Sequence, residues 1–393
     1  MTTYADPGAR NPRPRRPVEP PRTPPNRSKK TRASKPRIAP LWAKLSVILG
    51  AVVMLTSGLV VVVPKVLAAW AFKDVEQLSI LDSPPKSIDG PINVLLLGMD
   101  ERSGAEAEGA IRADSIIIVH IPAAHDRAFL ISLPRDAEVA IPPFPETNFA
   151  GMSAAKINAA FAMGATKNGA PDSSPQGRGR GAKLTAMTIE QLVPGGLDFN
   201  AVVILNYEGF LRILEVLGGV EMCVDEEVWS IHYDRNGRKV YPDLPDGVGK
   251  YYKVGCYPML DWEALDFARQ RHLPDGDYGR QRHQQQLIKA IIKKMTGTGV
   301  LTDVGKLLEL QKAAGDLLTL DLGGVPPEEW VYTLRSLRPD DLVMIKTNGG
   351  KFTSAGNGNE RLSEDSLGLL KAVGADTVMD FLYQHPDWVA ADQ

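Results

Sequence analysis

The chain has 393 residues, 44% of them apolar, and a formal net charge of −2. That apolar share is enough for a real core in one large domain or two modest ones, which excludes a wholly disordered chain. The overall charge singles out no partner, but its distribution does.

Residues 1–44 carry 12 Lys or Arg against Asp6 and Glu19 alone, which leaves the other 349 residues near −12. The same segment holds ten prolines, no apolar periodicity and no aromatic residue between Tyr4 and Trp42. It cannot bury enough surface to offset the entropy of ordering, so it reads as a disordered basic tail. Such an arm can bind nucleic acid, but an apolar segment follows it directly. Leu45 to Pro64 are 20 consecutive uncharged residues between Lys44 and Lys65. The length matches one bilayer crossing. A buried core helix is seldom so long and apolar, and a cleaved signal peptide has a shorter leader and h-region. The expectation is a transmembrane helix over 45–64. The positive-inside rule leaves the N-terminus in the cytoplasm and exports the rest, with no nucleic-acid partner expected. Residues 65–89 read as a stalk and linker ahead of an extracytoplasmic domain at 90–393, its motif-bearing core at 90–300 and a helical C-terminal part at 301–393.

Strand signals open that domain. Ile92–Leu97 is a continuous apolar run ended by Gly98, and Ser115–Ile121 and Ala128–Leu133 are two more. A helix capped by Ser153 is expected through Phe161 to Met163. Gly164–Lys183, rich in Gly, Ser, Pro and Arg, reads as a mobile surface loop. A helix near Leu184–Leu192, a strand at Ala201–Leu205, a helix at Tyr207–Leu217 ended by Gly218-Gly219 and a strand at Val220–Val224 follow. Residues 261–270 and 279–296 have helical periodicity. Beyond 300 come two or three helices and a strand near Leu342–Lys346. Alternating strands and helices predict an α/β fold, a central mixed sheet sandwiched by helices. There is no GxGxxG, P-loop, Cys/His zinc cluster or GxSxG elbow.

If the first three strands form a meander, Asp100, Asp114 and Arg135 arrive at one edge of the sheet, where such folds place ligands. Two crowded carboxylates call for a cation, and a hard ion such as Mg²⁺ takes one or two carboxylates plus phosphate oxygens. Solvated strand-end charges are the plain alternative. A second cluster runs from Arg269 and Arg271 through Asp275, Asp277, Arg280, Arg282 and His283 to Gln284. Arg269 and Arg271 can address one ligand only if the helix ends there, as Pro274 and Gly276 suggest. Arg280 and Gln284 share a helix face, and guanidinium forks match phosphate oxygens. A salt-bridged, solvated helix is the alternative. The two cysteines, Cys223 and Cys256, both lie in the exported part, where an oxidising compartment permits a disulfide; two buried thiols remain the other reading.

In order and wording these segments resemble the LytR-CpsA-Psr family, which attaches glycopolymers to bacterial cell walls. The matching runs are NVLLLGMDER (93–102), RADS (112–115), SLPRD (132–136), KINAAF (156–161), NYEGFLRILEVLGGVEMCV (206–224), LDWEALDFARQRH (260–272) and DYGRQRHQQQ (277–286). The resemblance implies a phosphotransferase. It would move a phosphoglycan from a polyprenyl-pyrophosphate carrier, held at the membrane lipid, onto a peptidoglycan hydroxyl. It implies that Asp100 and Asp114 hold Mg²⁺ (or Mn²⁺) and that Arg135, Arg269, Arg271, Arg280 and Gln284 bind pyrophosphate oxygens, with Arg102 and Lys156 as further candidates. Asp100, Asp114 and Arg135 are then the catalytic set, Asp114 the first choice of general base and Asp277 the second. The cysteine placement resembles actinobacterial members, which favours the disulfide. RADS lacks a hydroxyl found beside the arginine in the commoner motif, and QRHQQQ is less basic than usual. The alternatives are a pyrophosphatase using water on the same lipid, and a non-catalytic membrane regulator or lipid-binding protein.

Overall fold

The computed structural model describes residues 78–81, 87–99, 111–240, 243–245, 247–297 and nearly all of 309–390. The basic tail and the 45–64 segment lie outside these residues, as do Asp100 and Arg102. No helix among the described residues is long and apolar enough to cross a membrane.

A six-stranded mixed sheet organises the domain. Its strands are β1 (Ile92–Met99), β2 (Ala113–Ile121), β3 (Ala128–Leu133), β6 (Ala201–Asn206), β9 (Leu318–Asp321) and β10 (Leu342–Lys346), in the order β9-β6-β1-β2-β3-β10. A two-stranded side sheet pairs β4 (Glu138–Ile141) with β5 (Met152–Lys156), and another pairs β7 (Val220–Val224) with β8 (Gly255–Met259). The expected meander is present: β1 pairs antiparallel with β2, and β2 with β3. β6 joins β1, and β10 joins β3, in parallel.

The period-two alternation of β1 shows why the sheet is covered twice. Leu95, Leu97 and Met99 enter one core with Phe161, Leu184 and Ile189. Ile92, Val94 and Leu96 enter another with Trp330, Ile288 and Ile292. The first face carries α1 (Asn158–Gly164) and α2 (Pro175–Leu192). A third apolar cluster joins α3 (Tyr207–Leu217), α4 (Asp261–Phe267), α5 (Asp277–Gly297) and the β7–β8 pair. The expected helix-covered mixed sheet is thus found.

Two local expectations are corrected. Met152–Lys156 is a strand paired with β4, and the helix begins only at Asn158, so Ser153 caps nothing. Most of the 164–183 segment is not a loop. Ser174 caps α2 by accepting from the Gly177 N–H, and Pro175 occupies the first helical position. The glycines there allow close approach instead of motion: a Cβ on Gly181 would lie 2.8 Å from the Phe161 carbonyl oxygen, and one on Gly164 would lie 2.5 Å from that of Arg180. Gly181→Val is therefore expected to force α1 and α2 apart and cost about 2–3 kcal/mol, measurable as a lower denaturation midpoint at an unchanged m value.

Candidate active site

The sheet's register builds the site. Gly98 lies opposite Ser115 and Met99 opposite Ala113, so β1 ends where β2 begins. β3 runs back to the same edge, with Leu133 opposite Ile116. Arg135 therefore arrives beside Asp114, Nη1 to Oδ1 3.0 Å. Helix α4 ends at Phe267, with Ala268 as its C-cap, and the chain turns so that Arg271 reaches the other oxygen of Asp114 at 3.3 Å. The early helix end that lets Arg269 and Arg271 face one ligand is present. Arg269 lies over the Tyr207 ring, 4.5 Å from its centroid.

Helix α5 supplies the rest. Arg280, buried in its first turn, pairs with Asp277 at 2.6 Å, and Asp277 lies 4.0 Å from Arg135 Nε. Asp114, Arg269, Arg271, Arg280 and Gln284 line one open cavity, which Leu205, Phe210, Leu265, Leu287 and Ile288 line as well. Lys156 stands next to this group, bound to Asp136 at 2.9 Å, and Asp136 lies 3.9 Å from Arg135. Of the site residues expected from sequence, all but Asp100 and Arg102 fall within the described residues. Lys156 and Arg135 do not line the cavity themselves: Lys156 pairs with Asp136 and Arg135 with Asp114.

The charges are unevenly matched. Burial alone would raise the Asp114 carboxyl, but Arg135, Arg280 and Arg271 outweigh it and hold the group below its ordinary value. Burial opposes the Arg135 charge, yet Asp114, Asp136 and Asp277 raise that guanidinium above its usual value. Arg280 goes the other way. Burial lowers it, and the nearby Arg135 and Arg271 add to the effect against Asp277 and Asp114. Arg135 Nε and Arg280 Nε are buried and have no hydrogen-bond acceptor among the described residues. Crowded guanidinium groups with unused donors suit an anion with several oxygens.

The QRHQQQ run has work of its own. Gln285 donates to the carbonyls of Leu130 and Ile345 and to Ser132 Oγ, docking α5 on the β3–β10 edge. Arg282 Nε donates to Asp225 at 2.7 Å and also pairs with Asp275, while His283 Nε2 lies 2.8 Å from Asp225. Burial would raise Asp225, but His283 and Arg282 hold its carboxyl well below the carboxylate range. A lowered carboxylate stabilises the fold above its ordinary pKa of 3.8, and the benefit is lost as pH falls through the native value. Asp225→Asn is expected to cost roughly 2 kcal/mol at pH 7, and the gap from the unmodified chain should begin to narrow only below about pH 4 and close as pH falls through the depressed native value. A gap that stays constant in pH-dependent urea melts would contradict this.

His232 lines the cavity as well, with the fully buried Asp266 as its partner, and no sequence pattern singles out either as a site residue. The stretch between β7 and α4 has no periodic pattern to draw attention to it. Cys223 and Cys256 are bonded directly across the β7–β8 ladder, their Cα atoms 3.9 Å apart.

The polyisoprenyl-teichoic acid–peptidoglycan teichoic acid transferase TagU of Bacillus cereus is 29% identical over 233 residues, 59% of this chain and 62% of TagU. The regulatory protein MsrR of Staphylococcus aureus is 28% identical over 235 residues, 59% of this chain and 56% of MsrR. The match thus spans little more than half the length of these relatives. Among solved structures, TagT bound to LI-WTA superposes with a TM-score of 0.54 at 21% identity, covering 77% of this chain and 97% of TagT. Protein gbs0355 of Streptococcus agalactiae gives 0.55 at 20% identity, with 74% and 88% covered. Both likenesses speak for the fold. The family model described as the LytR_cpsA_psr family matches residues 71–330, well over half of the sequence, so the chain belongs to the LytR-CpsA-Psr family.

Proposed function

We propose that this domain is a phosphotransferase that moves a phosphoglycan from a polyprenyl-pyrophosphate carrier onto a peptidoglycan hydroxyl. The observation that carries the reading is the convergence of Arg269, Arg271 and Arg280 with Asp114 on one cavity with apolar lining, and of Arg135 on Asp114 beside it. Two of those guanidinium groups retain unused, buried Nε donors. The arginines suit the pyrophosphate, and the wall of Leu205, Phe210, Leu287 and Ile288 suits the first isoprene units. A diphosphate without a lipid would leave that wall unexplained. Relatives named as teichoic acid transferases support the same chemistry.

Asp114 offers hard carboxylate oxygens at the cavity, and one carboxylate with phosphate oxygens is a ligand set that Mg²⁺ or Mn²⁺ accepts. Asp114, with Asp100 beyond the described residues, would hold the ion, which when bound supplies charge neutralisation on the pyrophosphate. The arginine forks fix the phosphates and oppose the charge that builds on the departing polyprenyl phosphate. Arg271 and Arg135 occupy both oxygens of Asp114; with an ion held there, both guanidinium groups would be released to bind phosphate oxygens. The same reading places 45–64 across the membrane, with the N-terminus cytoplasmic and this domain outside, where lipid carrier and wall meet.

The test is incubation of the purified full-length chain with Mg²⁺, a polyprenyl-pyrophosphoryl glycan and peptidoglycan oligomers. Covalently linked phosphoglycan is the expected product. Free phosphoglycan alone would make the protein a pyrophosphatase, and lipid binding without turnover would make it a lipid-binding regulator.

A further inference from the structure

We infer that His232, held by Asp266, is the general base that takes the proton of the acceptor hydroxyl; this deepens the transferase reading and rests on it. Asp266 is fully buried on α4. Its two oxygens accept from three side chains: His232 Nδ1 at 2.9 Å, Tyr252 Oη at 2.7 Å and Gln270 Nε2 at 2.8 Å. Gln270 also donates to the Asp266 carbonyl at 3.0 Å, so both its amide protons are placed. Burial and the neighbouring Asp266 push the Tyr252 hydroxyl far up, which keeps it a donor. With three donors around one acid, His232 Nδ1 carries a proton and Nε2 carries the lone pair. His232 lines the cavity that also holds Asp114 and the arginines. Its Nε2 makes no hydrogen bond among the described residues.

The carboxylates first considered for this task are poorly suited. Asp114 has both oxygens facing arginines, so neither is free to take a proton. Asp277 is bound by Arg280 and Gln281. An imidazole oriented by a buried carboxyl has the geometry that acid–base work requires. In the step, the acceptor oxygen bonds to the glycan-side phosphorus while the O–H proton passes to His232 Nε2. The bond from that phosphorus to the bridging oxygen breaks, and its electron pair leaves with polyprenyl phosphate. Asp266 faces the imidazolium that forms, and solvent then removes the proton.

The plain alternative is that His232 only tethers the 230–250 segment to α4. Three forms of the full-length chain separate the two: unmodified, His232→Gln and His232→Gly, assayed with the polyprenyl-pyrophosphoryl glycan and peptidoglycan oligomers. His232→Gln is expected to lower kcat about 100-fold with KM for the lipid within a factor of about three. Millimolar imidazole is expected to restore part of the His232→Gly rate and to leave the Gln variant unchanged. A His232→Gln rate equal to that of the unmodified chain would overturn the assignment, as would a slow His232→Gly that imidazole does not help. If the unmodified chain made no linked product, the transferase reading itself would fall, a failure distinct from either of these.

Discussion

Arg135→Ala is expected to lower kcat/KM for the lipid-linked donor by about 10³-fold, the scale seen when one preorganised donor is taken from a developing oxyanion. Arg135 is the hub of the cluster: it meets Asp114 at 3.0 Å and lies within 4.0 Å of both Asp136 and Asp277. Removing it takes away a phosphate fork and leaves three carboxylates crowded around a neutral gap. Arg135→Lys keeps the charge but loses the planar fork, so it should recover only a small part of the rate. Steady-state kinetics checks this, with thermal melts alongside to show that the variants fold. An Arg135→Ala enzyme within a few-fold of the unmodified rate would mean that the pyrophosphate binds elsewhere.

The second large effect concerns the disulfide. Cys223 and Cys256 are 33 residues apart in sequence, and a cross-link of that span constrains the unfolded chain by about 3–4 kcal/mol. The double variant Cys223→Ser, Cys256→Ser should show a loss of that size in guanidinium melts. The closed loop is the one that carries His232 and Tyr252, so transfer should fall with stability once the bond is gone. Turnover at the unmodified rate in the double variant, at a temperature well below its melt, would show that β7–β8 pairing alone positions His232.

The parts of the molecule that could be read from sequence share a physical cause. β1, β2 and β3 are apolar runs long enough to be buried on both faces, and their ends could be placed by counting alone. Asp114 and Arg135 followed from that count, and Arg269 and Arg271 from the helix stop before Pro274. The failures also share a cause. Met-Ser-Ala-Ala-Lys at 152–156 has helical propensity, yet it pairs with 138–141 because β4 offers an open edge, a tertiary demand no local pattern shows. Gly177, Gly179 and Gly181 looked like flexibility and are instead contact points between packed elements. The His232–Asp266 pair joins residues 34 positions apart through a segment without periodicity, so nothing short of the folded chain brings it to notice.

The central claim is that a lipid pyrophosphate occupies the cavity between the sheet edge and α5. Its most direct test is a crystal structure of the protein with bound polyprenyl pyrophosphate. Phosphate oxygens within hydrogen-bond distance of Arg135 Nε and Arg280 Nε, with the isoprene chain along Leu205, Phe210 and Leu287, are the predicted result. A lipid bound away from these arginines, or one whose pyrophosphate faces solvent, would contradict the account.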